Sequence, residues 1–593
     1  MSPALAAAHI TSPSTVIGAR VAFIASIAVG VAILAGIVAQ ALTRLVALVT
    51  NLAFYGRLSF ENVSPWGNQL GLGVVVVPMV GGLLVGLMAR FGSQAIRGHG
   101  IPEAMEQVLH NDSRIPARMT FLKPLSAAIA IGTGGPFGAE GPIIATGGAL
   151  GSLIGQILAT TADERKTLLG AGAAAGMAAT FGSPVSAVIL AIELLVFEYR
   201  PRSLIPIALA AATATSVRTV FAGTAPAFAI PALVAPGAPA VGGYVLIGAV
   251  IGICSVGVTR AIYAIEDAFS KLPLHWMWWP ILGAVPVGVI GYFAPRTMGV
   301  GYENIEQIVG GDLALRQVAF LCGLKFLSWS FALGSGTSGG TLAPLLTIGG
   351  GLGALFGAVA AGLVPVVGID PRMAALVGMA ALFAGASRAM LASVVFAFET
   401  TRQDNALLPL LGGCAAAFLV SCLLMRNSIM TEKMARKGVP VPSEYAADFL
   451  EQLLAKKVAS SPVFSLAAHR TVADVRDWLA SGEPGSRHQG FPVVGEEGEL
   501  IGVLTLRDLL DTRHAPEAKM SEIIHRAAVF VYEDATLRQV ADRMTTERIG
   551  RVPVVTRVPP IRPIGMISRS DLLHAHQKRL AGATRAEKTF RVR

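Results

Sequence analysis

The sequence predicts a mainly α-helical, multi-span membrane protein that is built from two inverted-topology repeats of broken helices and followed by a soluble α/β domain. Hydrophobic residues make up 53% of the 593 residues and charged residues 14%, and the mean hydropathy is +0.62. These values are typical of a chain with many membrane spans rather than of a soluble enzyme. Two internal repeats, one in the apolar part and one in the more polar C-terminal part, divide the chain into domains.

The first repeat relates two glycine-rich, apolar halves of the chain. GPIIATGGALGSLIG from Gly141 aligns with APLLTIGGGLGALFG from Ala343, so that Pro142 and Pro344 are 344 − 142 = 202 residues apart. A GMAA sequence recurs at the same offset. Repeats of this kind in transporters often have opposite topology and place an ion site near the membrane midplane, between the ends of broken helices.

We expect three parts: an N-terminal leader at 1–18, a membrane domain at 19–441 with repeat halves at about 19–225 and 240–430, and a C-terminal domain at 442–593. The leader lacks the basic region and the cleavage site of a signal peptide, so we interpret it as cytoplasmic. The charged segment 114–123 is also expected at the cytoplasmic surface. Apolar runs that predict membrane spans lie at 21–48, 70–88, 173–195, 204–221, 244–262, 277–292, 318–333, 342–364, 373–398 and 407–424.

The cysteines and the net charge argue against several other classes of protein. The four cysteines lie in apolar runs and lack the spacing of a disulfide framework or a metal site; they are Cys254, Cys322, Cys414 and Cys422. The net charge of +10 comes from Lys and Arg at span ends and in the tail, which the positive-inside bias explains without a nucleic-acid partner. Neither a nucleophile–base pair nor the spacing of metal ligands is evident, so we expect neither an enzyme nor a metal protein.

One carboxylate, Glu140, lies inside the apolar stretch GTGGPFGAEGPIIATGGALGSLIG. An unpaired acid within a membrane costs on the order of 2.5 kcal/mol or more, so it usually marks an ion or proton path. Gly138 and Gly141 free the backbone and Pro142 suits the first turn of a helix, so a helix should begin here. The first amides of a helix carry partial positive charge. We therefore predict that Glu140 occupies the position that an anion would take.

The same pattern of glycines, proline and an apolar helix occurs in GHGIP at 98–102 and in GGTLAP at 339–344. Three helix starts are thus predicted to converge on one site. Glu140 aligns with Leu342 in the repeat, so only one half carries the acid.

GHGIP, GAEGP, GTLAP and the tail helix SIMTEKMARKGV resemble successive motifs of the CLC chloride channels and transporters, over about 19–441. The resemblance implies that Glu140 is a gate that blocks the anion path and swings aside. Family members commonly have serine at position 99, phenylalanine at 342 and tyrosine at 430, where this chain has His99, Leu342 and Met430. The anion-binding positions implied by the motifs are His99, Gly100, Ile101, Gly138, Ala139, Gly141, Thr341, Leu342 and Met430.

Three function classes compete on this scaffold. Coupled members of the family commonly carry an inner glutamate directly after the acid that aligns with Glu193, and this chain has Leu194 there. Because leucine cannot relay a proton, the sequence favours a passive anion channel, with a proton-coupled anion antiporter as the alternative. Glu198, about one turn further on, and Glu193 are candidate relays, although Glu193 and Glu399 also suit structural roles at helix ends. A cation channel or transporter with a C-terminal sensor domain ranks last, because the spans carry no ring of acids.

The second repeat lies in the C-terminal domain, where FPVVGEEGELIGVLTLRDLL from Phe491 resembles VPVVTRVPPIRPIGMISRSDLL from Val552. Each predicts two strands and a helix that begins near an Asp, and helical spacing precedes each at 471–479 and 536–545. The pair resembles two CBS motifs, at about 456–514 and 517–577.

Two interpretations of the CBS pair stay open: binding of ATP or another adenine nucleotide, and a purely structural role in dimerisation. The resemblance implies nucleotide contacts at Thr505, Asp508, Ser568 and Asp571. Transport itself is expected to need no cofactor. The expected partners are chloride or a similar small anion, membrane lipid and a second copy of the chain, and the expected location is a bacterial inner membrane with the C-terminal domain in the cytoplasm.

Overall fold

The computed structural model describes residues 18–439, 441, 449–451 and 453–584, so the predicted leader falls outside the described residues except for Gly18. The chain divides between Met434 and Ala435 into two compact units, a membrane unit and a C-terminal unit. This division lies close to the predicted domain boundary at residue 441.

The membrane unit consists of helices. Those of the first half are α1 (Ala19–Tyr55), α2 (Val76–Phe91), α3 (Ile101–His110), α4 (Met119–Gly132), α5 (Glu140–Ile157), α6 (Ala162–Phe181), α7 (Pro184–Ala191) and α8 (Pro201–Ala222). Those of the second half are α9 (Ala238–Ser270), α10 (Trp279–Phe293), α11 (Tyr302–Gly310), α12 (Leu315–Gly334), α13 (Leu342–Leu363), α14 (Pro371–Ser387), α15 (Met390–Thr401) and α16 (Leu407–Leu424). The short tail helix α17 (Glu432–Arg436) follows.

Eight helices in the described part of the chain are long and apolar enough to cross a membrane, and four further apolar helices are shorter. The longest, α1, has 37 residues. The prediction of a mainly helical, multi-span protein is confirmed by this pattern.

Two runs that were predicted as single spans are each broken into two helices. The first breaks between α6 and α7, where Gly182 has a left-handed backbone with φ of 65° and Pro184 begins the next helix. The second breaks between α14 and α15 at Arg388, with φ of 64°. Glycine and proline explain the first break. At the second, the Arg388 guanidinium donates to the carbonyl of Arg426 at 3.0 Å, a tertiary contact that no local pattern indicates.

The repeated segments that begin at Gly141 and Ala343 fold within the equivalent helices α5 and α13, and each of these helices packs closely on the next one. A side chain at Gly147 in α5 would overlap the carbonyl of Gly172 in α6, and one at Gly349 in α13 would approach the carbonyl of Gly378 in α14. Contacts of this kind allow helix backbones to meet without intervening side chains. The repeat thus forms the packed interior of each half.

The C-terminal unit has two three-stranded sheets in which the first and second strands are parallel and the second and third are antiparallel. Its elements in order are α18 (Ala455–Val458), β1 (Leu466–Ala467), α19 (Val472–Ser481), β2 (Gly490–Val494), β3 (Leu500–Thr505), α20 (Leu506–Leu509), β4 (Val531–Tyr532), α21 (Leu537–Thr546), β5 (Arg551–Val555), β6 (Pro563–Ser568) and α22 (Arg569–Thr584). The predicted strands and the helices before them are confirmed. The segment before the first repeat, however, packs on the second, because Ala455 lies in one core with Val531 and Leu537.

Candidate anion site

Glu140 is the first residue of α5 and is completely buried. The hydroxyl of Tyr302 donates a 2.7 Å hydrogen bond to Glu140 Oε1. Glu140 Oε2 has no hydrogen-bond partner among the described residues. The carboxylate lies against Gly138, where a Cβ atom would overlap it, and a Cβ at Gly340 would lie 3.1 Å from Oε2. Glycine at both positions therefore leaves the space in which this carboxylate sits.

The loops before α3, α5 and α13 meet at this point, as predicted. Gly138 and Gly340 exchange backbone hydrogen bonds of 3.2 and 2.9 Å, and Gly98 bridges to Ser338 beside them. The carbonyl of His99 occupies the space that a side chain at Gly141 would need. The three helix N-termini thus face one region of the membrane unit, and their partial charges favour an anion there.

A fourth helix start, that of α11 at Tyr302, belongs to the same site and was not predicted. Gly299-Val300-Gly301 precedes α11 as Gly98-His99-Gly100 precedes α3, and the two starts are 302 − 101 = 201 residues apart. Gly100 and Gly301 have positive φ angles of 94° and 74°. The signal for this fourth start was therefore in the sequence, as a second match at nearly the repeat offset.

Aromatic residues hold the Tyr302 side chain in place. Its ring makes edge contacts with Phe181, at 5.6 Å between ring centroids, and with Phe228, at 6.0 Å. Phe396 packs against both phenylalanines. This cluster fixes the direction of the hydroxyl toward Glu140.

Two buried lysines, Lys123 and Lys325, fix the loops before α3 and α11. They are 325 − 123 = 202 residues apart, the offset of the repeat. Lys123 Nζ donates to the carbonyls of Ile96 and Gly98 at 2.8 Å each, and Lys325 Nζ donates to the carbonyls of Thr297 and Gly299 at 2.9 Å each. The prediction that the segment ending at Lys123 lies at the surface is wrong for this residue, since its side chain is almost completely buried.

Two further polar atoms near the converging loops have no hydrogen-bond partner among the described residues, His99 Nδ1 and Thr341 Oγ1. Both residues are buried. Nearly all buried polar atoms have a partner, so these atoms and Glu140 Oε2 mark a polar interior suited to a small ligand. Ile101 and Leu342 contribute the first backbone amides of α3 and α13, and Ala139 is the N-cap of α5.

Gly100 differs from the prediction, because its amide is already engaged. Its N–H donates at 2.8 Å to Glu103 Oε2, and Glu103 Oε1 accepts at 2.6 Å from Lys433 Nζ in the tail helix. Met430 is fully buried three residues before Lys433, and its amide donates to the Ser428 hydroxyl. The tail helix is therefore tied to the start of α3.

Glu193 and Glu399 make reciprocal contacts between the two halves. The Glu193 carboxylate accepts from the amides of Leu391 and Ala392 at 3.1 and 3.0 Å, at the start of α15. The Glu399 carboxylate accepts from the amides of Val185 and Ser186 at 3.0 and 2.8 Å, at the start of α7. Each half thus caps a helix of the other.

Glu198 is buried in a charged cluster at the linker between α7 and α8. It accepts from the Ser203 hydroxyl at 2.7 Å, and it lies 3.3 Å from Lys166 Nζ and 3.6 Å from Arg200. The two cations stabilise its ionised form.

A cavity of about 280 Å³ lies beside Ala139 and Tyr302, two neighbours of Glu140. It is lined by Ala139 and Tyr302, together with polar side chains from the ends of α1 and the loop that follows it, among them Thr50, Asn62 and Ser64. The cavity thus borders both Tyr302 and the N-cap of the helix that Glu140 begins.

The four predicted nucleotide contacts are divided between two cavities of the C-terminal unit. Thr505 and Asp508 line one of about 530 Å³, and Ser568 and Asp571 line another of about 310 Å³. The Asp508 carboxylate accepts from the backbone amide and the hydroxyl of Thr505, and the Asp571 carboxylate accepts from those of Ser568, all at 2.7–2.8 Å. Four arginines that were not predicted as contacts also line the larger cavity: Arg507, Arg526, Arg548 and Arg551.

The chain was compared with known families and structures. Residues 81–422 match the family described as "Voltage gated chloride channel", and residues 455–515 and 520–578 match the CBS domain. The chain is 26% identical over 563 residues to chloride channel protein CLC-f of Arabidopsis thaliana, covering 82% of this chain and 70% of that one.

Two further comparisons concern the membrane unit. The chain is 30% identical over 363 residues to the H(+)/Cl(-) exchange transporter ClcA of Vibrio parahaemolyticus, covering 59% of this chain and 76% of that one. It shares the fold of a slow cyanobacterial Cl−/H+ antiporter, with a TM-score of 0.61 at 22% identity, covering 69% of this chain and 97% of that one. The chain therefore belongs to the voltage-gated chloride channel (CLC) family, whose members transport anions and are not enzymes, and it carries a C-terminal pair of CBS domains.

Proposed function

We propose that this protein exchanges chloride for protons across the membrane and that Glu140 serves both ions. The observation that carries the proposal is the burial of Glu140 at a convergence of helix N-termini, where one carboxylate oxygen is bound to Tyr302 and the other faces the polar interior. The relatives named as H(+)/Cl(-) exchange transporters support exchange over a passive pore.

Charge competition gives the mechanism. An ionised Glu140 satisfies the partial positive charge at the start of α5 and so competes with chloride for the same position. A protonated Glu140 is neutral, is held less strongly by the helix N-termini and can move aside. Each departure of the carboxylate then carries a proton, and each entry of chloride requires that departure.

The passive channel predicted from Leu194 is the second candidate. Leu194 is buried where a coupled relative would carry its inner acid, and leucine cannot transfer a proton. Glu198 lies four residues further along and is the proposed substitute relay. Its ion cluster with Lys166 and Arg200 favours the charged form, so we expect proton transfer through it to be slow.

A chloride gradient across proteoliposomes decides between the two candidates. With a tenfold gradient and no other driving force, exchange moves protons uphill at a fixed ratio to chloride, and the external pH changes. A passive channel moves chloride and leaves the external pH unchanged once the membrane potential is clamped.

We also propose the setting in which this transport takes place. The protein is a homodimer in a bacterial inner membrane, with the CBS pair in the cytoplasm, an arrangement supported by its resemblance to the CLC family. Chemical crosslinking of the protein in native membranes tests the dimer, which a single-chain product at every reagent concentration would contradict.

The CBS pair is proposed to bind an adenine nucleotide such as ATP, as a ligand separate from transport. The larger cavity, lined by four arginines and Thr505, has the charge and size for a phosphorylated ligand. Calorimetric titration of the full chain with ATP tests it. Arg507→Gln should abolish the binding signal, while Arg513→Gln, whose side chain is 87% exposed and paired with Asp511, should retain it.

A further inference from the structure

A cavity of about 480 Å³ lies where α10 ends and α12 begins, apart from the ion site. Its walls are mainly apolar and include Phe293 and Phe320, which are 73% and 60% exposed. Exposed apolar side chains on the spanning helices of a membrane protein have lipid tails as their usual neighbours. Lipid is therefore the expected neighbour of this cavity.

One cation, Arg296, lies at the rim of this cavity. Its guanidinium packs over the Trp66 ring at 5.3 Å and donates to Gln307 Oε1 at 2.8 Å. A planar guanidinium held in this way presents its remaining edge to a phosphate, which is the group that arginine binds best. The Trp66 indole also donates to Glu303 Oε2 at 3.3 Å, so this carboxylate is hydrogen-bonded to the ring that packs on Arg296.

We propose that this cavity binds one anionic phospholipid, with its phosphate on Arg296 and an acyl chain along Phe293, Phe320 and Leu321. The occupant is a lipid rather than free phosphate, because the apolar wall is larger than a phosphate needs and matches a hydrocarbon chain. The start of α12 lies at the same rim, and its partial positive charge adds to that of Arg296.

The site is connected to the gate by a short run of chain. The carbonyl of Arg296 accepts from Asn304 at 2.8 Å, and the next carbonyl, of Thr297, accepts from Lys325. Five residues further on, Tyr302 binds Glu140. If the proposed function holds, a bound lipid stabilises the loop that positions Tyr302 and thereby changes the rate of transport.

Native mass spectrometry of the full chain in detergent tests the binding directly. The probes are phosphatidylglycerol and phosphatidylcholine with identical acyl chains. We expect the parent to retain phosphatidylglycerol about tenfold more strongly, Arg296→Gln to lose that preference, and Arg296→Lys to keep part of it. Arg90→Gln is the control, because Arg90 is an exposed arginine in the last turn of α2 and does not line this cavity. This variant should behave as the parent. Elution as a single folded species on gel filtration verifies each variant.

Three results would overturn the proposal. The first is an unchanged phosphatidylglycerol preference in Arg296→Gln. The second is displacement of the lipid by millimolar inorganic phosphate, which would indicate a free-anion site. The third uses the double variant Phe320→Cys, Cys422→Ser. A disulfide between the introduced cysteines of two copies would show that a second chain, not a lipid, covers this face. Lipid binding without any chloride flux would contradict the proposed function and leave the lipid site standing.

Discussion

The hydroxyl of Tyr302 and the carboxylate of Glu140 are joined by a 2.7 Å hydrogen bond across 162 residues of sequence. The two residues begin helices in different halves of the membrane unit, α11 and α5. Because the acid exists in only one half, the pseudo-symmetric halves contribute different groups to the same site: one supplies the carboxylate, and the other supplies the hydroxyl that binds it.

Replacing Tyr302 with phenylalanine should speed chloride flux. A hydrogen bond to a charged group contributes about 1.5–3 kcal/mol, so its loss shifts the gate toward the displaced position by roughly tenfold or more. The aromatic packing against Phe181 and Phe228 is kept in this variant. Chloride efflux from liposomes measures the effect, with Tyr292→Phe on α10 as the control because Tyr292 is 42% exposed. An efflux rate equal to that of the parent would show that the hydroxyl does not hold the gate.

The residue at position 99 should influence anion selectivity. His99 has a buried Nδ1 without a partner among the described residues, beside the converging loops. His99→Ser replaces an imidazole with the hydroxyl common in the family. It should raise the flux of chloride relative to the fluxes of nitrate, bromide and fluoride. Fluxes of the four anions in parent and variant provide the measurement, and an identical ranking would remove His99 from the selectivity site.

Glu193 and Glu399 should contribute alike to stability. Each carboxylate accepts two backbone amides at the start of a helix, so Glu193→Gln and Glu399→Gln should each lower the free energy of unfolding by about 1–2 kcal/mol. Thermal unfolding followed by fluorescence gives the comparison. If Glu193 also relays protons, only Glu193→Gln should change the proton-to-chloride ratio; equal ratios in both variants would leave Glu193 a purely structural cap.

Glu198→Gln should reduce proton movement and leave chloride flux in place, if Glu198 substitutes for the missing inner acid. Loss of the ion pair alone is a competing explanation, and Lys166→Gln separates the two, because it breaks the same pair while keeping the carboxylate. A similar loss of coupling in both variants would argue that the cluster is structural.

The sequence was sufficient to predict the helix starts at 101, 140 and 342, because glycine and proline act locally. It could not predict the partner of Glu140, because a tyrosine at a helix start looks like an ordinary core residue and the contact is long-range. The buried lysines were not predicted for a related reason. Lys123 follows charged residues in sequence, which is typical of a surface segment, yet its amine donates to two loop carbonyls.

In the C-terminal unit the strands were predicted from their valine-rich pattern, but the packing of the preceding segment on the second repeat was not. That arrangement depends on tertiary contacts of Ala455 rather than on local sequence. The arginines of the larger cavity come from segments far apart in sequence, so they gather only in the folded unit.

The central claim is that Glu140 is the group shared by chloride and protons, and simultaneous recording of both fluxes in proteoliposomes of the parent and of Glu140→Gln tests it most directly. In the parent, a chloride gradient should drive protons against their own gradient. Its chloride flux should also rise as the pH falls, because protonation releases the gate. In Glu140→Gln the side chain is permanently neutral, so chloride flux should persist, lose its pH dependence and no longer move protons. Chloride-driven proton movement that survives in Glu140→Gln, or chloride flux with the same rate and pH response as in the parent, would contradict the account.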